Sequence, residues 1–530
     1  MQVLKSNRAQ FEYDIHALVK AFYPAWELKI VTPESVVKDR RVKRAVPVME
    51  LEFDESEVRF TVHKGLHNII EKDLITADGS AGTEVENREN RESKENLESR
   101  ENRENRENLE SSVYTWRDTD QVEPSAYKDM FKRFLYQSLQ EETGLVLPWG
   151  NLTGIRPSKI AMTMLEDGKS EEDVAAYLRE KHFVSEEKIA LGIEIAKRER
   201  EILSTLHYEN GYSLYIGIPF CPTTCLYCSF TSYPVSVWKE RVGDYLTALE
   251  QELEAVAQMY RGKILDTVYI GGGTPSSLSA EELDRLLTKL KNLFAFSTVQ
   301  EFTVEAGRAD SITEDKLKVL LKHEVTRISV NPQTMKQETL KLIGRQHTVE
   351  QVVDAFRLAR QAGFDNINMD IILGLPGETK EDVQATIEAV SALVPDALTI
   401  HSLAVKKASG LQKWIEKNGV TAYNNTEETM EIAAAGARAM NMVPYYLYRQ
   451  KNMSGNFENV GYSAKGKYGI YNILIMEEKQ TIVACGAGSV SKRVYPDGRI
   501  ERSENVKDVA QYIERIGEMI ERKKHLLSDC

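Results

Sequence analysis

Three of the chain's five cysteines, Cys221, Cys225 and Cys228, fall within "GIPFCPTTCLYCSFTS", residues 217–232. Thiols this close can form a disulfide, bind zinc or hold an iron–sulfur cluster. A disulfide uses two and leaves an odd thiol. A closed zinc site takes four tetrahedral ligands, commonly from two paired short spacings. Here no second pair follows, because Cys485 and Cys530 stand alone and far away. Three close thiolates suit the soft irons of a cluster and leave one iron open to a further ligand. The bland alternative is three buried structural thiols, which a Pro-containing loop disfavours.

Such a loop needs a rigid scaffold. The apolar runs "SLYIGI", "DTVYIGG", "EFTVEA", "RISVNP", "NINMDIILGL" and "ALTIHSLAV" alternate with amphipathic stretches such as "ERVGDYLTALEQELEAVAQM" and "EELDRLLTKLKNLF". About six β/α repeats with near-continuous apolar strands predict an α/β fold, a parallel sheet covered by helices that resembles a partial TIM-type (β/α)6 barrel. In such barrels the active face lies at the carboxyl ends of the strands, and unusual residues recur there. The cysteine loop follows the first strand, and Gly271, Gly272 and Gly273 with Thr274 and Pro275 end the second. Glu305 ends the third, Gln333 follows the fourth, Asp370 lies on the fifth and His401 on the sixth. Each alone has a structural explanation as a turn, a cap or a satisfied core residue. Their joint position around the cysteine loop points to one site.

The 530 residues exceed one ordinary domain and predict roughly three or four units. A hydrophobic fraction of 42% and a charged fraction of 28% describe a soluble globular chain with no bilayer-spanning run. The start, "MQVLKSNRAQFEYDIHALVK", lacks a secretory segment, and few cysteines argue against an extracellular disulfide framework, so a cytoplasmic location is expected. The net charge of −13 argues against broad nucleic-acid binding, while leaving room for a local basic pocket.

The expected divisions are 1–76, an N-terminal α+β region with "AVPVMELEF" and "EVRFTVH" as a strand pair, and 77–112, a disordered charged insertion. In that insertion glutamate recurs at every third residue from Glu86 to Glu110, which cannot bury enough surface to offset ordering entropy. A helical region follows over 113–212, then the barrel over 213–405 and a C-terminal substrate or accessory region over 406–530. Arg156, in the turn of "GNLTGIRPSKIAM", either faces a ligand or is structural.

The Cys-x3-Cys-x2-Cys loop resembles that of radical S-adenosylmethionine (SAM) enzymes. "YIGIPFC", "GGGTPS", "IGRQHT" and "DIILGLPGE" are similar to the oxygen-independent coproporphyrinogen III oxidase (coproporphyrinogen dehydrogenase) group over roughly residues 213–405. "YYLYRQKNMSGNFENVGY" and "CGAGSVSKR" give that resemblance weaker support, and the long N-terminal region and "CLYCSFTSYP" resemble its HemZ branch most. The resemblance implies a [4Fe–4S] cluster held by Cys221, Cys225 and Cys228, with Tyr215 at the same catalytic centre. It also implies SAM on the open iron, cleaved by one electron to methionine and a 5′-deoxyadenosyl radical. The implied cofactor contacts are Tyr215, Tyr227, Gly272, Gly273, Thr274, Glu305, Gln333, Arg345 and Asp370. Of these, Tyr227, Gly273, Thr274, Gln333, Arg345 and Asp370 belong to a second SAM site in some members. The glycines let backbone approach the cofactor without a Cβ obstruction, and Glu305 is suited to a ribose hydroxyl.

A small tetrapyrrole substrate and an electron donor such as flavodoxin or ferredoxin are implied partners, with no nucleic acid and no membrane span. Four substrate carboxylates need basic groups, for which Lys406, Lys407, Arg449 and Lys451 are candidates. One departure matters. The decarboxylases carry a fourth cysteine two residues after the third, where this chain has Phe230. Related heme chaperones share that departure, but their His-Asn-x-x-Tyr-Trp motif has no clear counterpart here. The expected activity is oxidative decarboxylation of coproporphyrinogen III. The alternatives are a cluster-containing heme-binding or heme-delivery protein and a radical SAM enzyme on another substrate.

Overall fold

The computed structural model describes residues 2–24, 26–36, 42, 45–54, 56–64, 111–117, 123–154, 156–208, 210–228, 230, 232–404, 409–418, 425–449 and 457–527. They fall into two compact units, Met1–Thr153 with Glu180–Ser185, and Gly154–Arg179 with Glu186–Cys530.

In the first unit, strands β1 (Gln2–Ser6), β2 (Leu28–Val31), β3 (Met49–Phe53), β4 (Glu57–His63) and β5 (Ser111–Arg117) form a sheet in the order β2-β1-β3-β4-β5. Alternate residues of β3 and β4 face inward, as a strand's two-residue period requires. They pack Met49, Leu51, Phe53, Val58, Phe60 and Val62 against apolar residues of helices Glu12–Phe22 and Pro124–Thr143. The expected pair is present, β3 and β4 running antiparallel from Met49↔Val62 to Phe53↔Val58. The helical region expected from residue 113 needs correction at its start. Ser111–Arg117 is a strand, paired with β4 from Glu57↔Arg117 to His63↔Ser111. Its alternation of exposed and half-buried residues and its Val, Tyr, Thr and Trp content favour the extended state. The expected disordered insertion otherwise lies outside the described residues.

The second unit is built on an eleven-stranded sheet. Strands β6 (Gly211–Ile218), β7 (Ile264–Gly272), β8 (Glu301–Gly307), β9 (Arg327–Val330), β10 (Ile367–Leu373) and β11 (Ala397–Ser402) are parallel and pair in chain order. Helices Val242–Met259, Ala280–Leu293, Glu314–Lys322, Val349–Ala362 and Lys380–Leu393 make the crossovers. Several of these start where the sequence dictates. Ser279 with Glu282, Thr348 with Gln351 and Thr379 with Asp382 form reciprocal capping boxes, each satisfying backbone donors left free at a helix start. The partial TIM-type barrel is thus present.

The chain after residue 405 does not stand apart from it. Strands β12 (Val443–Tyr448) and β13 (Asn459–Ser463) extend the β11 edge antiparallel, whereas β14 (Thr481–Cys485) lies parallel beside β6 and is followed by β15 (Val490–Val494) and β16 (Ile500–Glu504). The sheet order is β12-β13-β11-β10-β9-β8-β7-β6-β14-β15-β16. Helix Ile470–Glu477 therefore connects the two sides of the open barrel. Both its ends are held: the Glu301 carboxylate accepts from the Ile470 and Tyr471 N–H groups, and Arg156 donates to Met476 O and, at 2.9 Å, to Glu478 Oε2. Arg156 is structural.

Candidate active site

At the carboxyl ends of the parallel strands lies a cavity of about 380 Å³. Cys221, Cys225, Cys228, Tyr227, Gly272, Gly273, Thr274, Glu305, Gln333, Arg345, Asp370 and His401 all line it. None of the three cysteines is in a disulfide, and Cys221 is buried and the other two half-buried. Three thiols lining one cavity suit the soft irons of a cluster.

The loop is fixed from outside. Leu226 N donates to Ile343 O at 2.9 Å, Thr223 Oγ1 to Gly344 O at 3.2 Å, and Thr274 Oγ1 to Cys221 Sγ at 3.4 Å. Burial pushes the Cys221 thiol up; the Thr274 hydrogen bond opposes this, the neighbouring thiols add to it, and the Arg308 charge opposes it. The glycine triplet runs against the same loop. Gly273 N donates to Ile218 O at 2.8 Å and Thr274 N to Phe220 O at 2.7 Å, and a Cβ on Gly273 would stand 2.6 Å from Phe220 O. Gly272 has φ +106°, a region that side chains disfavour.

Polar groups ring the cavity. The Glu305 carboxylate accepts from Tyr269 Oη at 2.5 Å, and burial pushes its pKa up to about 7. Gln333 has φ +67°, and its backbone bridges β10 through Asp370 O and Ile372 N. Its Oε1 is buried without a hydrogen-bond partner. A strained residue presenting an unmet acceptor beside a cavity is suited to a ligand donor. Arg345 donates to Asn331 O at 2.7 Å and Tyr227 Oη at 3.3 Å. Asp370 accepts from Asn368 Nδ2 at 2.7 Å, and His401 Nε2 lies 3.8 Å from its carboxylate. Burial opposes ionisation of Asp370, but contact with His401 and Asn368 holds its carboxyl below the ordinary value.

Other expected residues fall elsewhere. Tyr215 lines an adjoining cleft with Gly272 and Phe230, and its ring stacks 6.2 Å from Tyr269 and 6.0 Å from Tyr471. Arg449 is buried next to Glu458 rather than in the cavity. Lys406, Lys407 and Lys451 lie outside the described residues. Phe230, 70% exposed, stands at the cavity edge.

The sequence reading misses Tyr269, Arg308 and Arg327 in the lining, and Asn472, Ile475 and Met476 from the connecting helix. Arg308 had a readable signal, since it comes three residues after the strand-end Glu305. The helix had none, because a short apolar run does not distinguish helix from strand.

Residues 215–390 match the radical SAM superfamily, whose cofactors are a [4Fe–4S] cluster and SAM. The oxygen-independent coproporphyrinogen-III oxidase-like protein HemZ of Bacillus subtilis (strain 168) is 42% identical over 412 residues, covering 76% of this chain and 82% of that protein. Heme chaperone HemW of the same organism is 32% identical over 309 residues, 58% of this chain and 76% of its own. Among solved structures, coproporphyrinogen III oxidase (HemN) from Escherichia coli aligns with a TM-score of 0.49 at 21% identity, over 60% of this chain and 72% of that one. The chain belongs to the radical SAM superfamily, among its oxygen-independent coproporphyrinogen-III oxidase-like proteins.

Proposed function

We propose that Cys221, Cys225 and Cys228 hold the cluster, that SAM occupies the adjoining cavity, and that the chain converts coproporphyrinogen III to protoporphyrinogen IX in oxygen-independent heme biosynthesis. The observation that carries this reading is the convergence of three cysteines, a close-packed glycine turn and an unmet buried acceptor on one cavity. When bound, the cluster and SAM supply a primary carbon radical able to abstract an unactivated hydrogen.

The chain's own residues bind and orient. Gly272 and Gly273 admit backbone close to the cofactor's amino group, Glu305 accepts from a ribose hydroxyl, and Gln333 Oε1 accepts a ligand N–H or O–H. Asp370, steadied by His401, supplies a further acceptor. Tyr227, Gly273, Thr274, Gln333, Arg345 and Asp370 are the set for a second SAM. Asn472, Ile475 and Met476 line the same cavity from the connecting helix. The net change required at each substrate propionate would be loss of carbon dioxide, one hydrogen atom and one electron, leaving a vinyl group. A small cytoplasmic electron carrier such as flavodoxin or ferredoxin supplies the reducing electron. No helix of the described residues is long and apolar enough to cross a membrane.

A second reading, heme binding or delivery, is favoured by Phe230 at the position of the decarboxylases' fourth cysteine and by the likeness to HemW. Anaerobic turnover separates the two. The chain is reconstituted with iron and sulfide, supplied with reductant, SAM and coproporphyrinogen III, and followed by mass for 5′-deoxyadenosine and tetrapyrroles. Protoporphyrinogen IX formed together with 5′-deoxyadenosine is the expected result. SAM cleavage without decarboxylation, accompanied by stoichiometric heme binding, rejects the oxidase in favour of the second reading.

A further inference from the structure

We propose that Arg308 is a positioning residue for the cluster, clamping the cysteine loop and making the reduced cluster easier to form. This rests on the assignment of the cluster to Cys221, Cys225 and Cys228.

Arg308 directly follows β8 and is buried, with 3% of its surface exposed. Its guanidinium is divided between two partners. Nη1 donates to Thr223 Oγ1 at 2.6 Å and to Thr223 O at 3.1 Å. Nε and Nη2 donate to the Asp310 carboxylate at 2.9 and 2.6 Å. Thr223 lies midway between Cys221 and Cys225, so the grip falls on the segment that sets the separation of two thiols. The paired bonds to Asp310 fix the guanidinium plane, and charge-assisted bonds of this kind are strong and directional.

The same arrangement has an electrostatic consequence. Reduction adds one negative charge to a cluster, and a cation fixed in a poorly solvated site nearby favours that state. Asp310 partly neutralises the cation, so the two side chains act on the cluster with opposite sign. The other charged or titratable groups at this place are His347, whose Nδ1 lies 3.7 Å from Asp310, and Arg345, which reaches Tyr227 Oη at 3.3 Å. Both stay unchanged in the test below.

Wild type, Arg308→Gln and Asp310→Asn are reconstituted anaerobically and titrated potentiometrically with the electron paramagnetic resonance signal of the reduced cluster as readout. At the wild-type midpoint, Arg308→Gln is expected to lower the reduced-to-oxidised ratio about tenfold, which is ~59 mV for a one-electron couple. Asp310→Asn, which leaves the cation less neutralised, is expected to move the midpoint the other way. Unshifted midpoints in both variants, or shifts of the same sign, overturn the proposal, because a loop that is only loosened has no reason to respond to charge sign. If Arg308→Gln takes up no cluster, Asp310→Asn decides alone, and an unchanged or more negative midpoint overturns the proposal. A wild-type chain that takes up no cluster rejects the cysteine assignment itself, an outcome distinct from intact signals at equal potentials.

Discussion

Glu305 sits where burial and the proposed ribose contact favour different charge states. Burial pushes its carboxyl up to about 7 from an ordinary 4.5, the Tyr269 hydrogen bond opposing this and Asp370 adding to it. Because the folded value is the higher one, the folded chain keeps a proton that the unfolded chain releases. Its contribution to stability is therefore fullest below pH 4.5 and is lost as pH rises through about 7. The unfolding free energy of wild type relative to Glu305→Gln should fall by about 1–3 kcal/mol across that window, as read by urea unfolding at stepped pH. A flat difference would remove the desolvated carboxyl from the account.

Gly273 tests packing rather than charge. A Cβ there meets Phe220 O at 2.6 Å and Ile218 O at 2.9 Å, both backbone atoms that no rotamer can move. Gly273→Ala should cost about 1–3 kcal/mol and lower iron uptake by displacing Phe220 and Cys221. Gly243→Ala is the control, since nothing stands within 4 Å of its Cβ position. Iron per chain and unfolding temperature, measured together, separate the two variants; equal behaviour would show that the glycine turn does not hold the loop. At this scale the sequence reveals residues whose type restricts their chemistry, the clustered thiols and the glycines. It does not place Arg327, whose burial depends on partners far along the chain, nor the stacking of Tyr215 on Tyr269 and Tyr471.

Elements were legible where one pattern repeats. Six apolar runs separated by amphipathic stretches specify parallel strands and crossovers whatever their contents. The connecting helix Ile470–Glu477 carries no such signal, and its state follows from tertiary anchors. Glu301 meets its free N–H groups, where a negative charge is favoured, and Arg156 meets its far end. Arg156→Ala removes the second anchor while Glu478 keeps Lys492 at 3.0 Å and Arg502 at 2.9 Å. A loss of about 1–3 kcal/mol in stability is expected, as for a charged hydrogen bond. Met476, the carbonyl partner, lines the cavity, so SAM affinity in equilibrium dialysis should weaken while iron content stays at the wild-type level. Unaltered affinity would mean that the helix closes the barrel without shaping the ligand site.

For the whole molecule, the cavity and every group assigned to it lie in the unit formed by Gly154–Arg179 and Glu186–Cys530. The other unit has its own core, and its sheet carries the long glutamate-rich segment between two paired strand ends. His63 and Ser111 are direct register partners, so residues 64–110 leave and re-enter the sheet at neighbouring points. A short turn can make that connection without altering either strand. Shortening a connection lowers the entropy lost on closing it by about 0.6 kcal/mol per halving, so replacing this segment with roughly six residues should add ~2 kcal/mol. The shortened chain should unfold at a higher temperature, with iron content and 5′-deoxyadenosine formation unchanged. A gain in stability with unchanged SAM cleavage would establish that the segment is dispensable to both fold and chemistry. Loss of cleavage from a chain that remains folded and iron-loaded would instead tie the glutamate repeat to the reaction, through the delivery of electrons or substrate.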